Sequence, residues 1–222
     1  MRHFADQPDA PDYLVCTNTN DYPANANQLA KRAGAVIACD GAHAICRLHG
    51  IIPDLVIGDF DSSRNHEVKR LQISDQNRSD TQKALDYITR RTNTAACSVM
   101  LLGLGGGRYD HSLYHLRLMW EYRRAFASLD WMGAQDHCRL IERSCVIQGG
   151  WMHKRISLFA PWGKAVVTLP DAFYPVRNYT LSMRGDCSLS NAFNSELFTL
   201  DLISGNPVLL CIENDRCMQE QD

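Results

Sequence analysis

Short runs of consecutive apolar residues, separated by segments of helical period, fill the first 135 or so positions of the chain. Positions 13–17, 35–39, 55–57 and 98–102 are apolar with little alternation, the pattern of strands buried on both faces of a parallel sheet. Positions 28–33, 42–49, 80–91 and 111–126 read as helices. Ile45 and Leu48 lie three apart; Ala84, Leu85 and Ile88 share one face; Leu113, Leu116 and Trp120 repeat at helical spacing. Gly50 stands where the second helix would end, and 67–71 reads as a single helical turn. From about Asp136 the rhythm changes. Stretches at 140–141, 145–147, 156–159, 165–169, 179–181, 197–202 and 208–212 are short and β-prone, most of them separated by Gly, Pro, Asn or Asp. The expected architecture is a parallel-sheet α/β/α domain over 1–136, followed without a linker by an all-β sandwich domain over 137–222.

Composition narrows the class of protein. Of 222 residues, 45% are hydrophobic and 22% charged, which is ordinary globular usage and excludes a disordered or collagen-like chain. No run approaches the roughly 18–20 apolar residues of a membrane-spanning helix, so no membrane partner is expected. Acidic residues and prolines near the N-terminus, such as Asp6 and Pro8, occupy the place of a signal peptide's apolar core. The expected location is therefore cytoplasmic. Net charge is −2, and Lys and Arg form no run longer than a pair such as Arg123-Arg124, so no nucleic-acid partner is expected. The nine cysteines contain no C-x-x-C, and Cys39 and Cys211 sit inside apolar runs. They read as reduced, buried thiols.

Open parallel sheets bind ligands beyond the carboxyl ends of their strands. Four stretches therefore belong together: Asp40-Gly41-Ala42-His43, Gly58-Asp59-Phe60-Asp61-Ser62-Ser63, Asp75-Gln76-Asn77-Arg78-Ser79-Asp80, and Gly103-Leu104-Gly105-Gly106-Gly107-Arg108-Tyr109-Asp110-His111. If a strand runs on through Asp59 and Asp61, both carboxylates face one side, and Gly58 permits close backbone approach. Two like charges so near each other call for a cation, and hard oxygen ligands suit Mg2+. Asp80 adds a third carboxylate. The same residues also suit polar turns and helix caps, with Asp61 before Ser62 and Ser79 or Asp80 at a helix start. Lys83, one turn further on, either reaches a phosphate or is merely solvated.

The glycine run leaves backbone N–H groups for an anion. It is not a dinucleotide fingerprint, because Arg108 stands where that motif needs glycine, and no G-K-[ST] occurs anywhere. Arg108 and Asp110 either bind phosphate and a cation or polar ligand edge, or pair with each other, or cap the helix. His43 and His111 read as structural.

In order and spacing these four stretches resemble the thiamine pyrophosphokinase family, the segment Pro53-Asp54-Leu55-Val56-Ile57-Gly58-Asp59-Phe60-Asp61-Ser62 most specifically. Weaker matches follow at Ile156-Ser157-Leu158, Phe173-Tyr174-Pro175 and Ser188-Leu189-Ser190-Asn191, so the resemblance spans about 13–212. Ala42, Ala44 and Ser79 depart from the family pattern without removing a charge. The resemblance implies transfer of the pyrophosphoryl group of ATP to the hydroxyl of thiamine, giving thiamine diphosphate and AMP, by a homodimer with sites between subunits. It implies Asp59, Asp61 and Asp80 as Mg2+ ligands and, with Asp110, as the catalytic set. It implies Asp40, Gly41, Lys83, Gly105, Gly106, Gly107 and Arg108 around ATP. Gln76, Asp110, Ser188, Ser190, Asn191 and Phe193 would meet thiamine, Phe193 as a stacking ring. Asp61→Asn or Asp80→Asn is expected to abolish turnover with little loss of folding. The alternatives are a pyrophosphokinase for another heterocyclic alcohol and a non-catalytic nucleotide or thiamine binder.

Overall fold

Residues 2–4, 10–60, 68–91, 93–103, 105–148 and 152–214 are described by the computed structural model. The chain divides between Gln135 and Asp136 into two units. The first strand, β1 (Arg2–Phe4), belongs to the second unit, where it pairs parallel with residues 145–147. The sequence reading had placed these residues in the α/β domain, and a three-residue strand is too short to announce its partner.

The N-terminal unit runs β2 (Tyr13–Cys16), α1 (Ala26–Arg32), β3 (Ala35–Cys39), α2 (Ala42–Leu48), β4 (Leu55–Gly58), β5 (Arg70–Gln72), α3 (Asp80–Thr89), β6 (Ser98–Leu102), α4 (Tyr109–Tyr122) and β7 (Ser128–Met132). Its strands are all parallel, in the order β7-β6-β2-β3-β4-β5. The apolar runs at β2, β3, β4 and β6 are buried at almost every position, as a sheet covered on both faces requires. Helix α2 packs on β2 and β3, and α3 packs on β3 and β4.

Two elements differ from the sequence reading. Residues Arg70–Gln72 form edge strand β5 where a helical turn was expected; three residues, none of them buried, carry too little pattern to separate the two. Strand β7 was not expected at all, because Asp130 interrupts its apolar run, yet that aspartate is buried.

The second unit contains β8 (Asp136–Ile141), β9 (Cys145–Gln148), β10 (Arg155–Phe159), β11 (Lys164–Leu169), β12 (Val176–Ser182), β13 (Ser188–Ala192), β14 (Leu197–Gly205) and β15 (Val208–Glu213). Within it, β13-β10-β15-β8 form an antiparallel group and β1-β9-β14-β11-β12 a second sheet. Burial along β10, β11 and β15 alternates strictly, the mark of sheets with one wet face. The inward positions meet in one core that includes Leu158, Val167, Phe198, Leu200 and Leu210.

The described cysteines are mostly core residues, as expected from the sequence. Burial pushes the Cys39 thiol up to about 12 and the Cys145 thiol up to about 11, so both stay protonated. The thiols of Cys138 and Cys211, on facing residues of β8 and β15, lie 3.2 Å apart. Among the described residues no helix is long and apolar enough to cross a membrane.

Candidate active site

Strand order places the crevice. The chain proceeds outward from β2 through β3 and β4 to β5, then returns to the other side of β2 with β6 and β7. The reversal lies between β2 and β6, and ligands of such sheets bind beyond the carboxyl ends there. Asp40 and Gly41 follow β3, Asp59 follows β4, and the glycine run follows β6.

Gly58 is where the acidic loops touch. A Cβ on it would lie 2.4 Å from Asp40 Cβ and 3.3 Å from Asp80 Oδ2, so only a glycine lets these two carboxylate residues flank the end of β4. Asp40 is 4% exposed. Asp80 opens α3, and the cap is Ser79, whose Oγ accepts the Gln82 N–H at 3.2 Å. The capping alternative is thus met by Ser79, which leaves the Asp80 carboxylate available for other work. Asp80 Oδ1 pairs with Lys83 Nζ at 2.9 Å, and the Lys83 side chain is only 3% exposed. Lys83 is therefore a buried cation paired with Asp80, not a solvated surface lysine.

Asp59 Oδ2 accepts from Gln76 Nε2 at 2.8 Å, and its backbone oxygen accepts from Gln72 Nε2 at 3.1 Å. The structure thus joins a residue assigned to the metal with one assigned to thiamine. Phe60 adopts a φ of +59° and lies under the Arg70 guanidinium, 4.8 Å from the ring centroid. Asp61 lies outside the described residues.

Arg108 and Asp110 form a two-pronged ion pair with each other, Nε to Oδ1 at 3.1 Å and Nη2 to Oδ2, and both are exposed. Asp110 Oδ1 also accepts the His111 N–H at 3.0 Å. The Arg108 guanidinium beside Asp110 holds its carboxyl below the usual range. Asp110 is consequently a poor proton acceptor and well suited to stay ionised.

Asp59 and Asp80 offer carboxylate oxygens at neighbouring strand and helix ends, with Asp40 beside Asp80. That donor chemistry and the space kept by Gly58 fit a hard cation shared with phosphate oxygens. Among the described residues no three His, Cys, Asp or Glu side chains are grouped so as to hold a metal ion by themselves.

Sequence reasoning overlooked the loop after β2. Tyr22 donates to the Thr17 oxygen at 2.8 Å, and Thr17 Oγ1 lies 2.7 Å from the Leu102 oxygen and 3.0 Å from the Gly103 oxygen. Trp131 Nε1 donates to the same Gly103 oxygen at 2.9 Å. The polar run Thr17-Asn18-Thr19-Asn20-Asp21 directly after an apolar strand was the available signal, by the same strand-end rule that found the other loops.

Behind α3 lies a buried polar contact. His115 on α4 is 4% exposed; its Nε2 is 3.2 Å from Thr81 Oγ1 and its ring stands edge-on to Trp131 at 5.1 Å. Burial lowers its pKa to about 4. The folded state therefore binds this proton less readily than the unfolded chain, whose histidines titrate near 6.5. Stability from this group is complete above pH 6.5 and is lost as pH falls toward 4, by about 3 kcal/mol over that window. Thermal melts between pH 7 and 4 should show a steeper decline for the native chain than for His115→Gln; parallel curves would contradict the assignment.

In the second unit the residues matched to the family serve two purposes. Asn191 is buried, and its side chain clamps the turn at Tyr174: Oδ1 accepts the Tyr174 N–H at 2.9 Å while Nδ2 donates to the Tyr174 oxygen at 2.8 Å. That leaves Phe173 and Tyr174 exposed as an edge-to-face pair at 4.9 Å. Ser188 is buried, whereas Ser190 is exposed with a φ of +55° and donates its N–H to Ser157 Oγ at 3.0 Å. Phe193 is 1% exposed and packs edge-on to Phe198 at 4.6 Å. Its ring serves the core and has no open face for stacking; the open rings along this segment are Phe173 and Tyr174.

Fold and site together define a class: an open parallel α/β unit with acidic and glycine-lined strand-end loops, suited to a phosphorylated ligand with a hard cation, joined to a β sandwich. Residues 26–129, most of the α/β unit, match the family model for the thiamin pyrophosphokinase catalytic domain, and the chain is similar to that family. It is 22% identical over 172 residues to the thiamine pyrophosphokinase of Bacillus subtilis strain 168, covering 72% of this chain and 79% of that one. Its fold is similar to thiamin pyrophosphokinase from Candida albicans, with a TM-score of 0.83 at 16% identity over 96% of this chain and 93% of that one. The Bacillus subtilis crystal structure gives 0.76 at 18% identity over 91% and 99%.

Proposed function

We propose that this chain transfers the pyrophosphoryl group of ATP to the hydroxyl of thiamine, releasing AMP and forming thiamine diphosphate, with Mg2+ as the cation, as a homodimer in the cytoplasm. The observation that carries this reading is the meeting of Asp40, Gly58 and Asp80 beside the Gln76–Asp59 pair, inside the stretch that matches the catalytic-domain family. Asp59 and Asp80, with Asp61, are the residues to hold Mg2+, which supplies neutralisation of triphosphate charge.

The chain's own groups do the remaining work. Attack on the β-phosphorus is limited by charge repulsion and alignment, so fixed charges and positioning carry most of the rate. Lys83 fixes Asp80 in place from within the core. Gly105, Gly106 and Gly107 offer backbone N–H groups to phosphate oxygens, with Arg108 as a second cation on the same loop. Asp110, kept ionised by Arg108, suits a positively charged thiazolium better than it suits proton abstraction. Ser188, Ser190 and the exposed Tyr174 and Phe173 rings are the thiamine contacts offered by the second unit, with Asn191 shaping that turn rather than touching substrate.

Incubation with ATP, Mg2+ and thiamine, followed by quantification of AMP and thiamine diphosphate, tests this. Equimolar AMP and thiamine diphosphate are expected. AMP formed only with another heterocyclic alcohol, or tight thiamine binding without AMP, would replace this reading with one of its alternatives.

A further inference from the structure

Asp21 lies in the loop after β2, at the reversal of strand order, and neither the metal nor the substrate assignments use it. Its two carboxylate oxygens hold two other strand-end loops. Oδ2 accepts the Gly105 N–H at 2.6 Å, from the glycine run after β6, and Oδ1 accepts the Ala134 N–H at 3.0 Å, from the segment after β7. The body of Asp21 also presses on the run. Gly106 has a φ of +71°, and a Cβ there would lie 2.6 Å from Asp21 Cβ. One ionised side chain thus ties three loops together, and charged acceptors of this kind make the stronger class of backbone hydrogen bond.

A run of glycines left to itself samples many conformations and would lose entropy each time it closed on an anion. Held at Gly105 and packed at Gly106, this one keeps a single path, with the exposed Gly107 in open space. We infer that Asp21 is a positioning residue for nucleotide binding: by pinning Gly105 and shaping Gly106, it preorganises the glycine run as the cradle for the triphosphate. The inference rests on reading that run as the ATP-phosphate site of a pyrophosphokinase.

Asp21→Asn keeps the shape but retains one acceptor oxygen, and it turns an NH2 group toward the second N–H donor. Binding of a non-hydrolysable ATP analogue with Mg2+, measured by calorimetry, should weaken about tenfold, the equivalent of one charged hydrogen bond. KM for ATP should rise in parallel while KM for thiamine and kcat stay within about twofold, reflecting a change confined to nucleotide binding. Asp21→Glu, which keeps both acceptor oxygens on a longer arm, should recover part of the loss. A role in folding alone would instead lower the active fraction, and hence apparent kcat, with both KM values unchanged, and would overturn the inference. So would equal nucleotide affinity in the native chain and Asp21→Asn. If the native chain itself fails to bind the analogue, the pyrophosphokinase reading falls first and this inference falls with it.

Discussion

Replacing Asp80 by Asn is expected to remove pyrophosphoryl transfer almost completely and to cost stability as well. On the metal role proposed for Asp80, losing its carboxylate forfeits several kcal/mol of transition-state charge stabilisation, about three powers of ten or more in kcat/KM. The second effect comes from Lys83, 3% exposed and held by Asp80 at 2.9 Å. With an amide in place of its partner, the ammonium is left buried without a countercharge. Removing one member of a buried pair costs about 3–5 kcal/mol; Asp80 is 28% exposed, so water relieves part of that and about 1–3 kcal/mol is expected. The sequence alone led to an expectation of little folding loss, because nothing in the local pattern shows that Lys83 is buried. Urea denaturation of Asp80→Asn and of Asp80→Asn/Lys83→Met separates the terms. The double variant should regain stability and remain inactive, whereas an active Asp80→Asn enzyme would refute the metal role.

Gly58→Ala is the second substitution with a large expected effect. The added methyl would sit 2.4 Å from Asp40 Cβ, and neither a Cβ nor the strand backbone can swing aside as a side-chain tip can. Overpacking of this kind costs about 1–3 kcal/mol. The functional loss should be larger than the stability loss, because the displaced groups are Asp40 and Asp80. A misplacement of about 1 Å in a reacting constellation is worth about a hundredfold in rate. Steady-state kinetics on folded Gly58→Ala should show kcat/KM down by about that factor. Near-native kinetics would show that the end of β4 is not part of the site.

The α/β half was legible where residues follow one local rule. Continuous apolar runs gave β2, β3, β4 and β6, and the strand-end rule found Asp40, Asp59, Asp80 and the glycine run. Short β-prone stretches set off by turn residues marked β10, β11 and β15. What stayed hidden depends on partners far along the chain. Strand β7 carries the buried Asp130, so its pattern reads as polar until the fold supplies an environment. Phe193 looked like an open ring beside a serine-rich stretch, and only the packing against Phe198 shows it to be core. Asp21 acts on residues 84 and 113 positions away, which no window of sequence brings together. The ion pairs of Lys83 with Asp80 and of Arg108 with Asp110 likewise need the folded backbone to be seen.

A crystal grown with Mn2+ in place of Mg2+ and a non-hydrolysable ATP analogue tests the central claim most directly, because the anomalous signal of manganese locates the cation independently of any assignment. The account predicts a peak at coordination distance, about 2.0–2.2 Å, from Asp59 and Asp80 oxygens, with the triphosphate on the glycine run. A manganese peak remote from both aspartates, with the nucleotide away from Gly105, Gly106 and Gly107, would contradict it.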